Sequence, residues 1–136
     1  MHSSMESMPE RKMDLIQLRL KQAREAIADV DFLIQNDRMI LAINRIYYGM
    51  FYSLLALAIQ YDFKTSKHAQ LIGWFNKEFV KNKKIEPRFS KMVQSAFNAR
   101  SDGDYGVFSE FSKEEVLIRF EEMKEFIVEI ENYISK

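Results

Sequence analysis

Residues 38–61, RMILAINRIYYGMFYSLLALAIQY, decide the fold. Ile43, Ile46, Tyr47, Met50, Leu54, Leu57 and Ala58 recur at helical spacing, and apolar residues cover much of the circumference. A helix that is apolar on most sides is surrounded by other helices, which places this segment at the centre of a bundle. Asn44, Arg45 and several Tyr interrupt the run, making it too polar for a bilayer span.

The flanking sequence supplies the surrounding helices. Upstream, residues 12–34 carry Leu15, Leu18, Ala26, Val30 and Leu33 as one apolar stripe. Gln35-Asn36-Asp37 ends that helix, with Asp37 placed to N-cap the next. Downstream, residues 62–66 form a connection in which Ser66 is a plausible cap. A third helix over 67–81 carries Ala69, Leu71, Ile72, Phe75 and Phe79. Glu86-Pro87 opens a fourth, because proline at the first helical position loses no hydrogen bond. It runs to about residue 99 with Phe89, Met92, Val93, Ala96 and Phe97 inward, and Gly103 and Gly106 break the pattern. Ser112-Lys113-Glu114-Glu115 is a capping box opening the last helix, whose stripe is Val116, Phe120, Met123, Ile127, Ile130 and Ile134. The expectation is an all-α, up-and-down antiparallel bundle of about five helices, with residues 1–11 as a flexible tail and 12–136 as one domain.

Composition agrees. A 47% hydrophobic, 29% charged chain of 136 residues is globular and long enough to bury a core without staples. Four Gly and two Pro argue against a turn-rich β fold. The absence of Cys removes disulfides and thiolate metal sites and fits a reducing compartment. With no apolar leader or membrane span, the expected location is the cytoplasm. The net charge is zero but unevenly placed. Residues 64–100 hold nine Lys/Arg against two Asp/Glu, net +7, and residues 101–136 hold four against ten, net −6. A basic middle attracts phosphates or an acidic partner, unless it packs beside the acidic last helix and the fields cancel.

Familiar catalytic signatures are missing: there is no phosphate-binding glycine loop, no His-Glu-x-x-His and no nucleophile elbow. With two His and no Cys, neither a metal nor a cofactor is expected. Chemistry concentrates in three clusters. In the first, Asn44, Arg45 and Tyr48 lie on the central helix, one turn before Phe51 and Tyr52. An Arg there holds a phosphate in a groove, or pairs with Asp102, Asp104 or the last helix. In the second, Lys67 and His68 follow Lys64-Thr65-Ser66 at a helix N-terminus. This is either an anion site with a neutral His or a cap with a structural His. In the third, Arg100, Asp102, Asp104 and Tyr105 surround Gly103. This reads as a ligand-binding loop or as ordinary turn chemistry.

In this order the clusters resemble a HEPN-domain protein (higher eukaryotes and prokaryotes nucleotide-binding) of the small stand-alone bacterial and archaeal branch. The resembling parts are Ala42-x-Asn44-Arg45-x-Tyr47-Tyr48-x-x-Phe51, then Lys67-His68-x-x-Leu71 with Phe75, then Arg100-x-Asp102-x-Asp104-Tyr105. The similarity spans roughly residues 15–130. The resemblance implies a homodimer and a minimal nucleotidyltransferase partner, the two acting as a toxin–antitoxin-like pair. Many members are RNases whose motif is Arg, four to six residues, then His. No His follows Arg100 or Arg45 at that spacing, so an RNase here would draw on His68 from another helix, with Arg45 or Arg100 as the cation. Three readings follow: a module binding RNA or a nucleotide or docking its partner, a structural helical adaptor, and a metal-independent RNase using His68 and Arg100.

Overall fold

A computed structural model describes residues 8–105 and 110–136, and the side chains of 9–102 and 110–136. Among these residues the chain is all-α. The elements are α1 (Met8–Gln35), α2 (Met39–Gln60), α3 (His68–Phe75) continued by a π-helical segment (Asn76–Val80), α4 (Pro87–Tyr105) and α5 (Lys113–Ile134). The five-helix bundle expected from the hydrophobic pattern is the fold observed.

α2 is the central element. Its buried residues run from Ala42 to Ala58 and face α1, α4 and α5. By length and composition alone α2 could cross a membrane, contrary to the reading of this run as too polar, but 61% of its most apolar window is buried inside the bundle. That is how the core helix of a bundle behaves. Gly49 allows the closest approach. A Cβ there would overlap the Met123 Cε and lie 3.3 Å from the Ala26 Cβ, so α1, α2 and α5 touch where α2 has no side chain.

The direction of each helix follows from its contacts. Lys12 at the start of α1 pairs with Asp62 past the end of α2 at 3.3 Å, so these two run antiparallel. Arg88–Glu125 at 2.6 Å and Arg119–Ser95 at 2.8 Å set α4 against α5. α3 is different. His68 at its start lies against Tyr47 and Phe51, whereas Phe79 at the far end lies against Tyr61. α3 therefore runs with α2. The connection must climb back along α2 by about three helical turns, roughly 16 Å. Seven residues in extended form span up to about 23 Å, which is sufficient.

Several local expectations change. α1 begins at Met8, inside the stretch read as a tail. Its buried face is Ile16, Leu20, Ala23, Ala26, Val30 and Ile34, while Leu15 and Leu18 are about half exposed. Ile16-x-x-x-Leu20-x-x-Ala23 is an equally good helical stripe, and packing against Ala56 of α2 selects it. Asp37 does not cap α2. It sits at φ 57° and ends α1, with the Arg38 N–H donating to the Leu33 carbonyl and the Asp37 N–H to that of Ile34. Asp62 and Lys83 end their helices in the same left-handed way, a geometry usually taken by Gly. Ser66 is not a cap either. Lys67 holds that position, and its N–H donates to the Thr65 Oγ1. Ala69 is exposed. Of the capping box, Ser112 accepts from the Glu115 N–H, but the Glu115 carboxylate accepts from Arg119 instead of turning back.

The largest local change concerns the third cluster. α4 runs through Gly103 to Tyr105, so Arg100 and Asp102 lie on the last turns of a helix and not in a loop.

Two glycine substitutions should separate helix propensity from packing. Gly73 in α3 has open space where a Cβ would be, so Gly73→Ala should raise stability by about 0.5–1 kcal/mol. Gly49→Leu should lower it by about 1–3 kcal/mol through overpacking. Urea unfolding followed by circular dichroism measures both.

Candidate functional site

α2, the N-terminus of α3 and the C-terminal turns of α4 meet at one end of the core. Each contributes polar groups that its own periodicity would aim inward. Tyr47 is fully buried. A phenol on a core face needs a partner for its O–H, and the returning connection supplies one. The Tyr47 hydroxyl lies 2.6 Å from the His68 Nδ1.

His68 is clamped. Its ring stacks on Phe51 at 4.2 Å between centroids and 11° between planes. It also stacks on Tyr47 at 5.5 Å and meets the edge of Tyr48 at 5.8 Å. Burial, then the nearby Arg100 charge, holds the imidazole below its ordinary titration range. Burial likewise pushes the Tyr47 phenol up, outweighing the opposite pull of Arg100. The phenol therefore keeps its proton, and Nδ1 is its only hydrogen-bond partner among the described residues. Tyr47 donates, Nδ1 accepts, and the remaining proton sits on Nε2.

Two guanidinium groups flank Tyr48. Arg45 lies over its ring at 5.3 Å and over Tyr52 at 5.9 Å. Arg100 lies over Tyr48 at 5.3 Å and over Tyr47 at 5.9 Å, and its Nη2 donates to the Tyr48 hydroxyl at 3.1 Å. Cation–π contacts of this kind contribute about 0.5–1 kcal/mol each. Arg45 donates weakly to the Tyr52 hydroxyl at 3.4 Å. The ion pair considered for Arg45 with Asp102 or the last helix does not form. Asp102 is exposed and lines a separate polar groove with Asn98, Glu115 and Arg119.

The structure thus brings together Arg45, Tyr48, His68 and Arg100 from the three clusters. Asn44 is half-buried on the same turn of α2, without a side-chain hydrogen bond among the described residues. Lys67 is exposed beside His68. Asp102 is directed elsewhere. The side chains of Asp104 and Tyr105 lie outside the described residues. Sequence reasoning missed two members. Tyr47 was placed in the core and Tyr52 was named only as a neighbour. The available signal was a hydroxyl on the apolar stripe of a helix, in a chain whose single His outside the N-terminal stretch must find a partner. Among the described residues no group of three or more His, Asp or Glu could hold a metal.

A HEPN domain model matches residues 16–133 of the chain. The chain belongs to the HEPN family. A UPF0332 protein of Thermotoga maritima is 36% identical over 124 residues, covering 91% of this chain and 94% of that protein. Two proteins of Methanocaldococcus jannaschii, both named "putative toxin", are also similar. One is 29% identical over 96 residues, covering 71% of this chain and 65% of that protein. The other is 30% identical over 90 residues, covering 66% and 67%. The HEPN match spans all three helices that build the site.

The imidazole should make folding pH-dependent in one direction. An unfolded His titrates near about 6.5, and in the folded HEPN domain His68 titrates lower. Between those values the unfolded chain binds more protons. The contribution of neutral His68 is therefore full above about pH 6.5 and is lost as pH falls through the folded value. Urea midpoints should drop more between pH 7 and 5 in wild type than in His68→Gln. Tyr47→Phe should cost about 1–2 kcal/mol at pH 7, because it leaves Nδ1 without its donor.

Proposed function

We propose that this chain is a toxin-like HEPN module that engages single-stranded RNA at the Arg45–Tyr48–His68–Arg100 site. The supporting observation is the convergence: both guanidinium groups flank the Tyr48 ring, and the His68 ring meets its edge. Guanidinium groups bind phosphate in a fork geometry. An adaptor without a ligand would have satisfied its three polar clusters separately. The names of the two archaeal relatives support the toxin-like role.

A second reading, cleavage, is favoured by the Tyr47–His68 hydrogen bond. It engages Nδ1 and leaves Nε2 as the nitrogen that faces a substrate. As the 2′-hydroxyl attacks phosphorus and gives its proton to water, the P–O5′ bond breaks and the imidazolium form of His68 donates from Nε2 to the leaving 5′-oxygen, while Arg45 or Arg100 stabilises the phosphorane. A homodimer and a minimal nucleotidyltransferase that neutralises the module by covering this site complete the proposal.

The test is binding and cleavage of labelled single-stranded RNA at about 50 mM salt, where phosphate contacts are strongest. Arg45→Ala and Arg100→Ala should each weaken binding and lower the salt slope by about one. His68→Ala should abolish any cleavage while RNA is still bound. Absence of RNA binding by the folded wild-type protein under these conditions would overturn the reading.

A further inference from the structure

Beside the site, on the outer side of Arg45, α1 and α2 leave a cavity of about 340 Å³ lined by Asp29, Phe32, Leu33, Leu41 and Arg45. This volume falls within the range of small-ligand pockets. The composition of the lining is unusual. Phe32 is 66% exposed and Leu41 55% exposed, and Phe32 has no aromatic partner among the described residues. Asp29 is exposed and makes no ion pair or side-chain hydrogen bond within the described fold. Arg45 has no carboxylate at ion-pair distance, and its buried Nε has no acceptor. A free ring face, a free carboxylate and a guanidinium that has aromatic neighbours but no carboxylate partner therefore share one cavity.

Each feature selects part of a ligand. The exposed ring offers a stacking surface of the kind that holds unpaired bases. The guanidinium asks for an anion. The carboxylate accepts and never donates, so it favours an edge carrying adjacent donors. Among the four bases guanine presents two neighbouring donors, N1–H and N2–H, on one edge. We propose that the notch between α1 and α2 is a subsite for a guanine nucleotide, with the base on Phe32, its donor edge on Asp29 and its phosphate on Arg45. The subsite deepens the RNA reading and rests on it for its biological ligand: a strand whose phosphate sits at Arg45 and Arg100 would place a neighbouring base in the notch.

The probes are the 5′-monophosphates of guanosine, adenosine, cytidine and uridine, together with guanosine itself, titrated into the full chain and followed by amide chemical shifts. Guanosine monophosphate should bind about tenfold or more tightly than the other three, with shifts at Leu33 and Leu41. Asp29→Asn should erase that preference. Phe32→Ala should weaken all four by roughly tenfold, and its exposed position keeps the fold intact. Arg45→Ala should weaken the nucleotide but leave guanosine unchanged. Equal affinity for the four nucleotides, or guanine preference that survives Asp29→Asn, would overturn the subsite. So would a wild-type dimer that Phe32→Ala dissociates while guanosine monophosphate moves no notch resonance, because a second copy would then be the occupant. The wider reading fails separately. RNA binding that survives Arg100→Ala and Arg45→Ala counts against the RNA site, whereas guanosine monophosphate shifts at the notch report on the subsite alone.

Discussion

The bundle depends on the burial of α2, whose apolar residues from Ala42 to Ala58 are enclosed by the other helices. At Gly49 the neighbours come close, and the Met123 methyl, the end of a flexible side chain, occupies the space that a side chain there would need. Ala26 of α1 lies beside the same position. α1 and α5 both reach α2 at this level, and the apolar residues of the three helices share one core. Close packing makes such a contact a constraint on everything around it, because interiors of this density transmit displacement and do not absorb it.

The candidate site lies within one turn of Gly49 on α2, and its existence follows from an unusual connection. An ordinary short turn after α2 would have produced an antiparallel third helix, beginning near Tyr61 and carrying His68 to the far side of the molecule. Instead the chain returns along α2 before α3 begins, so His68 opens a helix beside Tyr47 and Phe51. The polar groups gathered there partner one another, apart from the buried Arg45 Nε. Tyr47 meets His68, Tyr48 meets Arg100, and Tyr52 meets Arg45. Burying a hydroxyl or a guanidinium without such a partner costs several kcal/mol in an apolar setting, of order 2–7 for a hydroxyl. The aromatic faces also let two cations lie close together with no carboxylate at ion-pair distance of Arg45.

In this HEPN protein an imidazole and a guanidinium from different helices, His68 and Arg100, both meet the Tyr48 ring. The chemistry that pairs an imidazole with a guanidinium needs the groups near one another in space, and spacing along one segment is only one route to that. The buried phenol adds a control absent from any linear motif, since it determines which ring nitrogen carries the proton.

Much of this was legible from the chain itself. Periodicity and scarce Gly and Pro indicated five helices, with residues 38–61 at the centre. Pro87 and Ser112 marked two helix starts, because proline chemistry and side-chain capping are local. Arg45, Tyr48, His68 and Arg100 stood out as polar groups that fit either a ligand site or an ordinary structural role. Other features were open at the level of sequence. Whether Leu15 or Ile16 faces the core depends on which α1 stripe meets Ala56. Whether Asp37 starts one helix or ends another depends on a backbone angle that either role permits. α4 passes through Gly103 although glycine there would usually end it. Above all, the meeting of Tyr47 with His68 and of Arg100 with Tyr48 was a matter of helix direction. Helix formation is set by neighbours three and four residues apart, so the sequence determined the elements and the apolar content of their faces. The course of α3 is set by how a seven-residue connection lets apolar surface bury, which is a property of the assembled core, and only the tertiary structure decided it.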